Sequence, residues 1–510
     1  RGINCLSAFF IWRTKLKIMP SFSKFKEMAQ KGNLIPVYHE FLADTETPVS
    51  AYLKFRDDSY SYLLESAESG RHWGRYSFIG FTPYICALAF DSDMEVYEGY
   101  EKKILKDVGN PLIVLRNLSE KYKPVPVKDL PPFQGGLVGF FNYDLVRKWE
   151  HLPDISPTDN TQPEAIFIAC RHLIIFDHFT HTINVVSFAY LRKDADLKTT
   201  YDSASHELTE IIEKLQSPLP SRVEKKSISL SNLKPNFSKI DFENVVRQAK
   251  DYIVAGEAIQ IVLSQKFSGA VSGEDFTLYR NLRSVNPSPY MFYLKFGDIR
   301  LIGASPEILV RLTDGKIELR PIAGTRPRGA TPKEDQALEK DLIADPKERA
   351  EHIMLVDLGR NDVGKVAVAG SVRVPRLMEI ERYSHVMHIA SQVEGILKPD
   401  ADCFDLFMSA FPAGTVSGAP KIRAMVIISE LEPCTRGAYA GAVGYFGFNG
   451  NMDFCITIRT IAIMKNKISV QVGAGIVADS SPENEYEETL KKAGAIFKAI
   501  DKVKTNDSVN

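Results

Sequence analysis

The chain has 510 residues, 44% hydrophobic and 25% charged, the balance of a globular protein with room for two or three domains or one composite core. With 63 basic and 64 acidic side chains the formal net charge is −1, so no global field draws it to nucleic acid or anionic lipid, and local groups must handle any anionic ligand. Six scattered cysteines without a CxxC pair argue against a zinc cluster and fit reduced thiols, and no apolar run approaches the roughly 20 residues of a membrane span, so a cytoplasmic protein is expected.

Residues 1–18 carry a short apolar block flanked by basic residues, with no small-residue cleavage site after it. They read as a non-native or disordered extension, with translation beginning at Met19. From 19 to 216 short apolar strands alternate with turn signals. Residues 165–186 read as a hairpin around a polar DHFTH, and helices are expected over 110–122 and 197–215. The glycine-containing strands 134–139 and 440–446 resemble each other, which hints at an internal structural duplication. A Ser-, Pro- and Lys-rich connector fills 217–240. Beyond it, 241–505 opens with a helix over 242–255 and then alternates strands with helices. The closing helix carries Ser480 and Glu483 at capping-box spacing, with Pro482 in the first turn. These elements add up to an α+β fold of large, mostly antiparallel sheets flanked by helices.

Two segments draw attention as sites for chemistry. Asp345 is a natural N-cap with Pro346 behind it, and Glu348 and Glu351 follow at i,i+3 on one face; Glu485 and Glu488 repeat the spacing on the last helix. Converging carboxylates of this kind suit Mg2+. On spacing alone, two solvated helix faces account for them more readily. Gly473-Ala474-Gly475 ends a strand where backbone N–H groups can approach an anion, or simply forms a tight turn. The segment 322–329 combines glycine, a hydroxyl and two arginines that could grip a carboxylate, and Arg459 sits inside the strand-like CITIRTIAI, where a charge needs a partner or a ligand.

The ordered series LLES (63–66), QIVLSQ (260–265), NPSPYMFY (286–293), GASPE (303–307), PIAGTRPRG (321–329), EHIMLVDLGRND (351–362), YSHVMH (383–388), GTVSGAPKIRAM (414–425), GAYAGAVGYF (437–446) and GAGIVADSSPENEYEETLKKA (473–493) resembles the chorismate-utilising enzymes, most closely the anthranilate synthase component I family. The resemblance runs from about Met19 to the last helix. It implies an anthranilate synthase-like fold, with an N-terminal tryptophan-binding region and a C-terminal chorismate-binding region. It also implies a lyase that adds ammonia to chorismate and releases pyruvate, the first committed step of tryptophan biosynthesis. Mg2+ would be held by Glu351 and Glu488, with Glu348 and Glu485 close by. Chorismate would be gripped by Gly324, Thr325, Tyr439, Arg459 and the Gly473, Ala474 and Gly475 backbone, with Thr415 and Lys492 as neighbours. Glu307 matches the family's acid and His388 the histidine of the elimination step.

Two positions separate members of the family. Water-adding relatives carry a lysine where Gln260 stands, and aminodeoxychorismate synthases carry a lysine nucleophile where Ala323 stands, so this pair favours ammonia attacking directly. Aminodeoxychorismate synthase component I is the alternative enzyme, and a silent tryptophan-binding regulator the alternative of another class. No cysteine sits in a GxCxG nucleophile turn, so a separate glutamine amidotransferase subunit is expected to supply the ammonia, in a hetero-oligomer. Glu65, Ser66, Asn286, Pro289, Tyr290, Met291, Tyr445 and Cys455 match the family's feedback site for L-tryptophan.

Overall fold

A computed structural model describes residues 16–66, 74–153, 162–219, 228–383 and 386–507. Most of the expected extension, including its apolar block, lies outside the described residues, as do 220–227 of the connector and Ser384–His385 of YSHVMH. Of the extension's end, Leu16 and Ile18 pack on the core, and the Lys17 carbonyl meets His39 Nδ1 at 3.1 Å.

Every pairing between the named strands is antiparallel, as the expected α+β fold requires. The long strands Tyr76–Ala89 and Ala165–Asp177 lie side by side and serve two sheets at once. At one end they continue through Tyr60–Glu65, Tyr290–Phe296, Ile299–Ser305, Thr460–Met464 and Lys467–Ile476 to Gln260–Ser272. At the other they continue through Gly136–Phe141, Ala442–Gly447, Met452–Ile456, Ile308–Thr313 and Lys316–Leu319 to Val386–Ile396. Both sheets therefore mix strands from the N-terminal and C-terminal parts of the sequence. The two similar glycine-containing segments turn out to be neighbours, with Gly444 opposite Gly139.

Strand alternation explains how the layers stack. Phe140 faces Phe296 of the other sheet at 6.3 Å, while Phe141 faces Phe407 at 4.7 Å, on the helix Cys403–Ala410 that covers the outer side. The first sheet's outer face is covered by Leu197–Gln216, Phe276–Val285 and Pro482–Asp507, whose apolar stripes join a second core.

The helix starts follow their caps. Asn110 Oδ1 accepts the Leu112 N–H at 3.0 Å ahead of Pro111–Glu120, and Asp345 accepts Lys347 and Glu348 N–H groups ahead of Pro346–Val366. The last helix departs from expectation. Ser480 Oγ accepts from the Val477 N–H at 3.1 Å, and the Ser481 carbonyl takes the first helical bond from Glu485. The expected box between Ser480 and Glu483 does not form; the helix starts at Pro482, so the cap position belongs to Ser481.

Candidate active site

The two carboxylate pairs come from the helices Pro346–Val366 and Pro482–Asp507, and they meet. Glu351 is held above the ordinary carboxylate range by burial first, then by the negative charges of Glu348 and Glu488. Glu485 is raised by burial and by Glu488, while a Ser480 hydrogen bond works against the shift. Cations hold the rest in place: Lys492 Nζ lies 2.6 Å from Glu488 and donates to the Gly473 carbonyl at 3.0 Å, and Arg326 lies 3.0 Å from Glu348. Gln260 Nε2 donates to Glu351 at 3.4 Å.

The donor set suits a hard divalent ion at Glu351 and Glu488, because like charges brought together are relieved by a cation. Among the described residues no group of three or more His, Cys, Asp or Glu side chains is placed to hold a metal. An ion here would complete its coordination with water and substrate oxygens, the habit of Mg2+.

Glycines let the backbone close on these groups. On Lys467–Ile476 the alternation points Gly473 and Gly475 to one side and Ala474 to the other. A Cβ on Gly473 would sit 2.5 Å from the Tyr439 hydroxyl, and one on Gly475 would overlap Gln260 Nε2. Ala474 buries its methyl among Phe242, Ile261 and Leu263, so only its backbone is available to a ligand. Gly324 adopts φ +73° beside Glu348.

Glu307 lies just before the strand Ile308–Thr313. Burial pushes its carboxyl up to about 7, against the opposing effects of Thr415, Lys492 and Arg459. Thr415 acts on that carboxyl from close by, and its buried hydroxyl has no geometrically formed hydrogen bond among the described residues. His388 Nδ1 lies 3.1 Å from the Gly324 carbonyl and 3.0 Å from Thr325 Oγ. A carbonyl only accepts, so Nδ1 carries the proton and Nε2 keeps its lone pair. Burial, aided by the positive charge of Arg459, lowers the pKa of His388 and so favours the neutral ring.

Arg459 corrects the sequence reading. It is not inside a strand but at the bend between Met452–Ile456 and Thr460–Met464, with φ +52°, a strained conformation for a non-glycine residue. Among the described residues no carboxylate lies within ion-pair distance of it. Burial works against its charge, and Tyr439, Glu488 and Glu307 support it. The arginines of 322–329 are also not free to grip a ligand as expected: Arg326 pairs with Asp341, Asp345 and Glu348, and Arg328 with Asp335.

A second cavity, with about 580 Å³ of empty space out to the solvent, is lined by Glu65, Ser66, Pro289, Tyr290, Met291, Tyr445 and Cys455, all named from sequence. Asn286 is not in its lining; it ends the helix Phe276–Val285 instead, donating its N–H to the Leu282 carbonyl at 2.8 Å. Glu65 accepts from the Tyr279 hydroxyl and pairs with Arg283 at 3.1 Å. Sequence reasoning missed Arg311 and Asp453. Asp453 accepts from Tyr290 Oη at 2.8 Å and from Arg311 at 2.7 Å across neighbouring strands, and no local motif marks such a contact.

The chain belongs to the chorismate-binding enzyme family, whose model matches residues 61–498. It is 47% identical over 508 residues to anthranilate synthase component 1 of Synechocystis sp., covering 95% of this chain and 99% of that one. The corresponding protein of Acetivibrio thermocellus is 45% identical, with 94% and 98% covered. The crystal structure of anthranilate synthase component I from Streptococcus pneumoniae superposes with a TM-score of 0.75 at 36% identity, covering 89% of this chain and 98% of that chain. Among the described residues no helix is long and apolar enough to cross a membrane.

Proposed function

We propose that this enzyme is the chorismate-converting component of anthranilate synthase, making anthranilate and pyruvate from chorismate and ammonia. One observation carries the assignment. Arg459, a half-buried cation without a carboxylate partner within ion-pair distance among the described residues, lies within electrostatic reach of Glu488, Glu307 and Tyr439, the last of which abuts Gly473. A substrate with two carboxylates satisfies both ends of this arrangement, one at Arg459 and one at the Glu351–Glu488 pair through a shared ion. Mg2+ would be held by Glu351 and Glu488, with Glu348 and Glu485 beside them; when bound it neutralises the ring carboxylate and draws electron density from the ring.

Ammonia forms the new bond at C2 as the bond from C4 to the hydroxyl breaks. Glu307, still protonated near neutral pH, gives its proton to the departing hydroxide, which leaves as water. Gln260 offers no base to activate water, and Ala323, opposite Ile389 on Ile322–Pro327, offers no nucleophile. In the second step the ring loses its C2 proton and the C3–oxygen bond breaks, releasing enolpyruvate that becomes pyruvate. His388 is set up for the proton removal, because its tautomer leaves Nε2 as the base. Ammonia reaches the site from a separate glutamine amidotransferase subunit, and L-tryptophan binds the cavity at Ser66 as inhibitor.

The test is product analysis of the purified chain with chorismate and ammonium, with and without Mg2+ and tryptophan. Fluorescent anthranilate that needs Mg2+ and falls with tryptophan is expected, with no turnover on glutamine alone. Isochorismate or 4-amino-4-deoxychorismate as product would sink the assignment.

A further inference from the structure

Behind the site, outside every role assigned so far, lies Arg436, only 3% exposed. Its guanidinium donates from Nε to Glu432 at 2.9 Å and from Nη2 to the same carboxylate at 2.7 Å. Its other bonds go to backbone carbonyls on two distant segments, Val416 at 2.6 Å and Val262 at 2.7 Å. The cation also lies over the rings of Tyr143 at 4.6 Å and Tyr439 at 5.6 Å. Glu432 in turn accepts from the Ser264 N–H and Oγ, each at 2.8 Å.

A buried ion pair is weak evidence for stability, since apolar packing often does as well. What distinguishes this one is where its remaining donors go. Val416 follows Thr415, which acts on the Glu307 carboxyl from close by. Val262 lies two residues beyond Gln260, which touches Glu351 and backs onto Gly475. Tyr439 abuts Gly473. All three clients lead directly to groups assigned above to amination or to its metal: Thr415 to Glu307, Gln260 to Glu351, and Tyr439 to Gly473. None of the bonds of Arg436 runs to Gly324, Thr325 or His388, the group assigned to removal of the ring proton.

We propose that Arg436 is a positioning residue for amination, fixing the Thr415 segment, the Gln260 strand and the Tyr439 ring against one another, and that it takes no part in pyruvate elimination. This rests on the assignment of Glu307 to amination. Lysine keeps the charge, but one ammonium cannot reproduce the planar fork that reaches Glu432 and two carbonyls at once.

The experiment measures two reactions of the full chain with Mg2+: chorismate plus ammonium, and the preformed aminated cyclohexadiene intermediate supplied alone. Arg436→Lys is expected to lower kcat for the first by about 20-fold or more with KM for chorismate within about threefold, and to leave the second within about twofold of wild type. Loss of both reactions together, or of neither, overturns the proposal. Should Arg436→Lys fail to fold, Glu432→Gln, which leaves the two carbonyl bonds in place but loosens the fork, is expected to show the same split at about threefold to tenfold; equal losses again overturn it. Glu307→Gln runs beside them. If it slows amination selectively, the site reading stands and the Arg436 result judges this inference alone. If it leaves amination untouched, the site reading fails and the inference fails with it.

Discussion

The carbonyl of Glu307 accepts the N–H of Ile456 at 3.0 Å, and the residue before Ile456 is Cys455, in the wall of the second cavity. Ser305 Oγ closes the same junction by donating to the Ile456 carbonyl at 2.6 Å. Proposed acid and proposed inhibitor cavity therefore share one strand, Met452–Ile456. Ser66→Phe, which fills the cavity without touching that strand's hydrogen bonds, is expected to leave ammonium-dependent turnover within about twofold and to raise the tryptophan concentration for half inhibition about tenfold or more. Inhibition curves on the two proteins check it, and unchanged inhibition removes Ser66 from the site.

Glu307 also makes a prediction about pH. The ordinary glutamate value of 4.5 applies to the unfolded chain and about 7 to the folded one. Between them the folded state binds the extra proton, so Glu307 costs no stability below the lower value and a growing amount as pH rises through 7. Glu307→Gln removes that cost. Its melting temperature is expected to match wild type at pH 4 and to exceed it by about 1–3 °C at pH 8, measured by calorimetry. The same variant should lose about 100-fold in amination, and wild-type kcat/KM should fall above pH 7 as the acid ionises.

The carboxylate pairs predict a proton count. Without a cation, Glu351 holds its proton to higher pH than an ordinary glutamate, first because it is buried and then because Glu348 and Glu488 crowd it. Mg2+ added near that raised value is expected to release protons, measured by titration in two buffers of different ionisation enthalpy. Glu351→Gln should weaken Mg2+ binding and abolish the release; an unchanged release places the ion elsewhere.

Gly475→Ala is expected to lower kcat/KM for chorismate by about tenfold or more while the chain stays folded, because the new methyl must push Gln260 away from Glu351. Steady-state kinetics beside circular dichroism tests it. Full activity would show that the Gln260–Glu351 contact does not matter.

Local signals in the sequence carried the helices and hairpins. Asp345 and Pro346 mark a helix start wherever they stand, and the hairpin read over 165–186 announces itself by its polar turn. The site was legible only through the ordered motif series, because nothing in the spacing of Glu351 and Glu488 says that their helices meet. Arg459 misled for a physical reason: apolar neighbours on both sides imitate a strand, while the bend depends on a left-handed backbone that no residue type there announces. Arg311–Asp453 and Arg436–Glu432 were invisible from the chain order alone. The Arg311 pair joins partners on strands paired across the sheet. The Arg436 pair is indistinguishable from any i,i+4 pair until the carbonyls of Val416 and Val262 are brought to it.

The shared sheets bear on how the chain is made. When a ribosome has delivered only the first 216 residues, Tyr60–Glu65 still lacks Tyr290–Phe296, the strand it pairs with through Leu63 and Tyr293. Gly136–Phe141 waits longer still, for Ala442–Gly447. Both are apolar strands with an open edge, ready to add a strand from another nascent chain. The early half of this protein is therefore no free-standing module to be moved between relatives. Expressed alone, it should accumulate as aggregate or remain bound to chaperones, and supplying the later half in trans during synthesis should bring it into solution.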